Sequence, residues 1–331
     1  MHLSRRSAFA LSLSTAMLAA SGAWAADYNL RIHTLVQSPH PYNDMAVFVK
    51  EELETKSDGA IAVTVFDSGQ LGQDPAVIGE VGLGTIDMMI STASNAAGEV
   101  PELSIFTMPY LFESMDDAMA KLAVGTPAFD HFANAFIDRG TGVKLLALGA
   151  SGARNLSSVN VSVTTPDDLA GLKMRTTQSP MDSETWAALG MLPVSVAWGE
   201  LYAAMQTGVA DAMESSLPGY SGSKLYEVAP NLSLTEHQIQ ITHTSISQRT
   251  FDKLPEDLQK LVVETAAAAN ELGTQKAKGY DANLVETLKT DHGVTVSQPD
   301  KAAFIARLEP IQMDLAARLS LEPEYKLLKG K

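Results

Sequence analysis

The chain contains no cysteine. It therefore has no disulfide framework, and with 331 residues it is large enough to bury a core without one. The missing cysteine also excludes a lipid anchor behind the leader described below. Positive charge is scarce: 24 Lys and Arg stand against 39 Asp and Glu, a net charge of −15. That balance argues against nucleic acid and against anionic membrane surfaces as partners. It does not exclude an anionic ligand, because screening confines surface charge to about a Debye length, ~8 Å, and leaves a local positive cleft possible. Beyond residue 25 there is no hydrophobic run long enough to span a bilayer. Internal repeats, low-complexity tracts and a Pro/Ser-rich linker are absent as well. So are the common catalytic signatures. Gly149-Ala150-Ser151-Gly152 and Gly219-Tyr220-Ser221-Gly222 lack the Gly-x-Ser-x-Gly spacing of a nucleophile elbow. No His-Glu-x-x-His occurs, and Gly82-Leu83-Gly84 lacks the third glycine of a dinucleotide loop. His237 and His243 lie at strand spacing, but no carboxylate cluster beside them completes a metal site.

What is present begins with an export leader over residues 1–25. Arg5 and Arg6 form a positive start, Ala8 to Ala20 is apolar, and Ala23-Trp24-Ala25 is a small-x-small cleavage site. Phe9 lies one position later than a twin-arginine signal wants, which favours the general export route. Cleavage places the mature start near Ala26 and, by removing Arg5 and Arg6, takes the −15 to −17. The expected compartment is a bacterial periplasm.

The remaining length exceeds one ordinary domain and predicts two. Tyr28 to Thr34 alternates as a strand, and His40-Pro41 opens a helix whose Met45, Val49 and Leu53 recur at helical spacing. Ile61 to Phe66 is a strand. Asp74 and Pro75 suit the cap and first turn of a helix through Val81, and Ile86 to Ser91 reads as a buried strand. This β-α-β-α-β order implies a parallel sheet. The pattern returns later with strands at 172–177, 193–196 and 210–214 separated by helices at 181–189 and 198–206. A long helix is expected from Pro255 to about Leu288, a short strand at 294–296, and a last helix from Lys301 to Leu319. The fold class is α/β.

The most informative segment is Asp-Asp-Leu-Ala-Gly-Leu-Lys-Met-Arg at 167–175. Thr165-Pro166 opens one helical turn, Gly171 closes it, and the following strand carries Arg175 to a sheet end. A second arginine, Arg154, sits in Ser-Gly-Ala-Arg-Asn-Leu-Ser-Ser at 151–158, and Trp-Gly-Glu-Leu-Tyr-Ala-Ala-Met-Gln-Thr-Gly-Val-Ala-Asp-Ala-Met-Glu follows at 198–214. A strand-end arginine is commonly a surface ion pair of little energetic consequence. In a cleft, its planar fork of donors instead matches a carboxylate. Together these segments resemble the solute-binding subunit of TRAP (tripartite ATP-independent periplasmic) transporters, over nearly all of the mature chain and most strongly at 167–214.

The resemblance implies a two-lobed, periplasmic-binding-protein-like fold with the ligand cleft between lobes and long C-terminal helices. Lobe 1 would comprise 26–150 and 240–279, lobe 2 would comprise 151–239 and 280–331. Arg175 would clamp a ligand carboxylate. Arg154 would contact a further ligand oxygen, or alternatively tie lobe to lobe in a salt bridge. Gln178 falls where the family often places an amide toward ligand; the alternative is an exposed strand-end amide. Trp198 replaces a common Phe and would wall the ligand's carbon chain, while Leu201, Tyr202 and Met205 read as core and Glu200 as structural. Where many relatives have an Asn after the glutamate, this chain has Ser215 and Ser216 after Glu214. That change disfavours the usual dicarboxylate and sialate ligands and suits a hydroxylated acid. Ser91, Thr92 and Asn95 would meet the ligand from the other lobe, with an ordinary polar turn as the alternative, and His40 is a further candidate.

The implied function is a monomeric receptor for a small organic acid, a sugar acid or hydroxy acid, that delivers it to TRAP membrane permease subunits. No metal and no cofactor is expected. A secreted enzyme acting on a carboxylated sugar, a C4-dicarboxylate receptor and a receptor for an ABC importer are the alternatives. Ligand turnover separates the first, competition by succinate the second, and the neighbouring permease gene the third.

Overall fold

The structure, a computed structural model, describes residues 26–330. The export leader expected over 1–25 lies outside the described residues. Strand β1 (Tyr28–His33) leads into helix α1 (Pro41–Lys56). Pro41 occupies the first helical position, where its missing N–H costs nothing, and His40 caps the helix by accepting from the Tyr42 N–H through Nδ1 at 3.2 Å. Strand β2 (Ile61–Phe66), helix α2 (Asp74–Leu83) and strand β3 (Met88–Thr92) complete a parallel unit in which β1 lies between β2 and β3. Here the sequence expectation needs one correction. Gln73, not Asp74, is the cap residue of α2, and the Asp74 carboxylate is turned to other partners in the site.

Helices α3 (Met115–Leu122) and α4 (Pro127–Asp138) follow, each capped by a hydroxyl: Ser114 accepts from the Asp117 N–H and Thr126 from the Phe129 N–H. Strand β4 (Val143–Ser158) then runs for 16 residues. A single turn at Pro166–Leu169, closed by a Thr165/Asp168 capping box, precedes strand β5 (Lys173–Thr176), as the sequence suggested. Helix α5 (Pro180–Ala188), strand β6 (Leu192–Ser195), helix α6 (Leu201–Gln206), strand β7 (Ala212–Ser216) and helix α7 (Leu217–Gly222) build the second parallel unit, with β5 between β6 and β7. Strand β8 (Asn231–Ser247) is 17 residues long. After the short α8 (Gln248–Phe251) comes α9 (Glu256–His292), 37 residues, and then β9 (Thr295–Ser297).

The expected last helix over 301–319 is in fact broken. It divides into α10 (Lys301–Leu308) and α11 (Gln312–Arg318) around a tight turn at Glu309–Ile311. Pro310 has no N–H to continue the ladder, which accounts for the break. Nor is it last: α12 (Glu322–Lys329) follows.

All the strands among the described residues belong to one sheet, ordered β2-β1-β3-β8-β4-β7-β5-β6, with β9 beside the start of β8. The long antiparallel pair β4 and β8 joins its two ends. Residues 143–150 of β4 face the half of β8 that pairs with β3, while residues 154–158 pair with β7. Between them the register slips at Ala150/Ala153. Gly152 adopts φ of +113° there, a conformation that disfavours any residue with a Cβ. Separate hydrophobic clusters fill the two ends. One gathers Leu30, Ile32, Val49 and Ile90 with Val262 and Ala266 from the first half of α9; another gathers Leu201, Met213 and Tyr220 with Leu288 from its second half. At ~1.5 Å per residue, α9 extends about 55 Å, enough to brace both ends.

Candidate ligand-binding site

A cleft opens where the two ends of the sheet meet. From the β1–β3 end it receives Leu35, His40, Tyr42, Asp74, Thr92 and Asn95; from the β5–β7 end it receives Arg175, Thr177, Trp198, Ser215 and Gly219. Arg154 of β4 and Gln240 of β8 form the floor, beside the register slip. Short strands ending in turns deliver these groups, which is where open α/β sheets usually bind ligands.

Arg175 is 97% buried. Its Nε donates to the Val196 carbonyl at 3.0 Å, and its guanidinium carbon lies 5.7 Å from the Trp198 ring centre. Nη1 is buried with no hydrogen-bond partner, and the nearest carboxylate oxygen, Glu214 Oε1, stands 3.9 Å away. Burial pushes the group down to about 10 despite Glu214, the nearby Arg154 adding to the depression, but at neutral pH it stays charged. A buried cation with an unmet donor favours an incoming anion.

Arg154 is differently placed. It forms a two-pronged pair with Glu214, Nη2 to Oε1 at 2.6 Å and Nε to Oε2, and Nη1 donates to Gln240 Oε1 at 2.6 Å. Burial alone would raise the Glu214 carboxyl, but Arg154 and His237 hold it well below the usual carboxylate range. Both partners come from adjacent strands, β4 and β7. The pair thus fixes strand to strand below the cleft, with Arg154 still part of its lining. Behind Thr177, Asp182 accepts from the Thr177 N–H at 2.7 Å, the Thr177 hydroxyl at 3.0 Å and the Trp186 indole at 2.8 Å. Burial, with Glu214 nearby, raises its carboxyl above the ordinary value.

On the facing wall Asp74 takes a hydrogen bond from His33 Nε2 at 2.9 Å, one from Asn95 Nδ2 at 2.8 Å and one from the Ser91 hydroxyl. Burial, with Arg154 nearby, pushes His40 down to about 3, so its imidazole is neutral. Tyr42 receives the Gln240 amide and completes the wall.

Of the residues singled out in the sequence, Arg175, Arg154, Trp198, Ser215, Thr92, Asn95 and His40 line this cleft. Ser91 does not; it is buried behind it, on Asp74. Gln178 is exposed and borders a smaller recess at the mouth, with Arg175 and Asn95. The Ser215 hydroxyl donates to the Ser216 carbonyl at 2.8 Å and keeps its lone pairs for an acceptor role. Sequence reasoning missed Asp74, Tyr42, Thr177, Gly219 and Gln240. Asp74 was visible as an acid opening a helix, but it read as a cap. Gln240 gave no signal until β8 was seen to cross the molecule.

A family model described as bacterial extracellular solute-binding protein, family 7, matches residues 32–318. The chain belongs to that family. A solute-binding protein of Roseobacter denitrificans is 33% identical over 300 residues, 88% of each chain. Among solved structures, a TRAP periplasmic solute-binding protein of Sulfitobacter with bound α-D-taluronate superposes with a TM-score of 0.84 at 28% identity, covering 92% of this chain and 97% of that one. One from Bordetella bronchiseptica, its density assigned to pantoate, gives a TM-score of 0.85 at 28% identity, covering 92% and 98%. The chain is thus a TRAP-type solute receptor with the two-lobed α/β fold, and its family is one of receptors rather than enzymes. No helix among the described residues is long and apolar enough to cross a membrane.

Proposed function

We propose that this receptor captures a hydroxylated organic acid, a sugar acid or hydroxy acid, in the periplasm and hands it to a TRAP membrane permease. The single observation that carries this reading is Arg175: a buried guanidinium in the cleft with Nη1 unmet by any protein group. A carboxylate would complete it, desolvated and therefore strongly held. Around it stand groups suited to hydroxyls: Thr92, Asn95, Ser215, Gln240 and the Asp74 carboxylate. The relatives with bound taluronate and pantoate carry ligands of this kind. The lobe division expected from sequence falls within β4, β8 and α9, and the register slip at Gly152 supports a reading in which the two sides close about that point. A calorimetric panel of aldonates, uronates and short hydroxy acids tests the proposal. Binding of at least one, lost in Arg175→Ala, is the expected outcome; binding that survives Arg175→Ala unchanged would overturn the clamp.

A further inference from the structure

The buried charges of the cleft are unequally matched. Arg154 is neutralised by Glu214 in a two-pronged pair, and its third nitrogen is engaged by Gln240. Arg175 alone has an unmet donor. Asp182, directly behind Thr177, is a further buried carboxylate on the Arg175 side. No lysine or arginine pairs with Asp74 among the described residues. His40 Nδ1 accepts the Tyr42 N–H, so that nitrogen carries no proton. His33 Nε2 lies 2.9 Å from Asp74 Oδ1, while its Nδ1 is buried without a partner. His243, close enough to Asp74 to feel its charge, is kept neutral by burial. Asp74 therefore faces the cleft hydrogen-bonded to His33, Ser91 and Asn95, with no lysine or arginine among its partners.

Arg175 and Asp74 also arrive from different directions. Arg175 rides β5, whereas Asp74 begins α2, the connection between β2 and β3, and the β8–β4 pair separates β3 from β7 and β5 in the sheet. A ligand seated with its carboxylate on Arg175 extends its other end toward the acidic wall. Hydroxyls are welcome there, since a carboxylate accepts hydrogen bonds. A second carboxylate would be desolvated beside a like charge with no free cation to meet it.

Resting on the sugar-acid reading above, we infer that the cleft selects ligands with one carboxylate and an uncharged, hydroxylated far end, and that Asp74 is the residue that turns a second carboxylate away. The chemical class is the monoacid, aldonate or uronate or shorter hydroxy acid, as against the corresponding diacid.

The test uses matched pairs that differ only at the far carbon: D-galactonate with galactarate, D-gluconate with glucarate, and erythronate with meso-tartrate, titrated into the full mature protein at pH 7.5. In every pair where the monoacid binds, the diacid is expected to bind at least 100-fold more weakly. A diacid that equals its monoacid overturns the selectivity while leaving the clamp intact. Failure of every monoacid and diacid to bind overturns the sugar-acid reading itself, and the inference with it. Asp74→Asn is expected to shrink the monoacid-to-diacid ratio at least tenfold, whatever it does to either affinity, in protein whose circular dichroism matches the parent. A ratio unchanged in folded Asp74→Asn removes Asp74 from the assignment. Should that variant not fold, the parent protein still decides. At pH 5.5, calorimetry in two buffers of different ionisation enthalpy should show more proton uptake with a diacid than with its monoacid, and equal uptake counts against the exclusion of the second charge.

Discussion

Arg154 and Arg175 share a cleft and a charge, yet their burial has opposite consequences. Removing Arg154 takes the two-pronged partner from the buried Glu214 and leaves it only the longer contacts to Arg175 at 3.9 Å and His237 at 3.8 Å. Arg154→Ala should therefore cost about 3–5 kcal/mol of folding stability, measured by urea denaturation without ligand. Removing Arg175 relieves a burial penalty, so Arg175→Ala should leave stability near or above the parent value while losing ~2–5 kcal/mol of ligand affinity. Equal destabilisation by the two variants would contradict this division of labour. A second residue-scale expectation concerns His243, pushed by burial down to about 4 despite the opposing charge of Asp74. Its neutral form is the folded form. The stability it contributes is present above the unfolded value of about 6.5 and is lost as pH falls toward 4. In His243→Gln that loss disappears. The stability gap between parent and variant should shrink by about 1.4 kcal/mol per pH unit across that window, and a gap independent of pH would refute the buried neutral state. At this scale the sequence was informative about charge and poor about pairing. The placing of Arg175 on a short strand was legible from Gly171 and the turn before it, whereas its role as a clamp came only from the family resemblance. The saturation of Arg154 was not, because Arg154 and Glu214 lie 60 positions apart and meet only through a strand pairing.

Elements that begin with a local signal were the legible ones. Pro41, the Thr165-Pro166 opening of a turn and the short strand Ile61 to Phe66 each write their own structure into a few residues. The long strands β4 and β8 were missed for the opposite reason. They are buried on both faces along most of their length, so they show no alternation to read. Pro310 was overlooked within an otherwise helical pattern, and it divides α10 from α11. One contact between elements carries a prediction of its own. The Gln73 side chain, at the start of α2, accepts from the Gly199 N–H at 3.1 Å across the mouth of the cleft. A Cβ at position 199 would come within 2.5 Å of Gln73 Nε2 and displace it. Gly199→Ala should therefore open this latch and speed ligand release several-fold by stopped-flow fluorescence, with association nearly unchanged. An unaltered release rate would show that the latch holds nothing.

At the scale of the whole molecule, closure about the β4–β8 register slip should make the ligand-bound receptor smaller than the free one in X-ray scattering. Equal radii of gyration at proven saturation would argue for a rigid cleft. The same threading bears on how such receptors can diversify. β4, β8 and α9 each run through both ends of the sheet. A genetic exchange that replaced one half of the cleft intact would need breakpoints inside all three elements at once, each cutting a paired strand or a packed helix. Recombination between relatives is therefore a poor route to a new ligand here. Novelty has to come from single substitutions in the lining, at positions such as Asp74, Ser215 and Gly219, where a change of one side chain alters what the cleft accepts and leaves the scaffold whole.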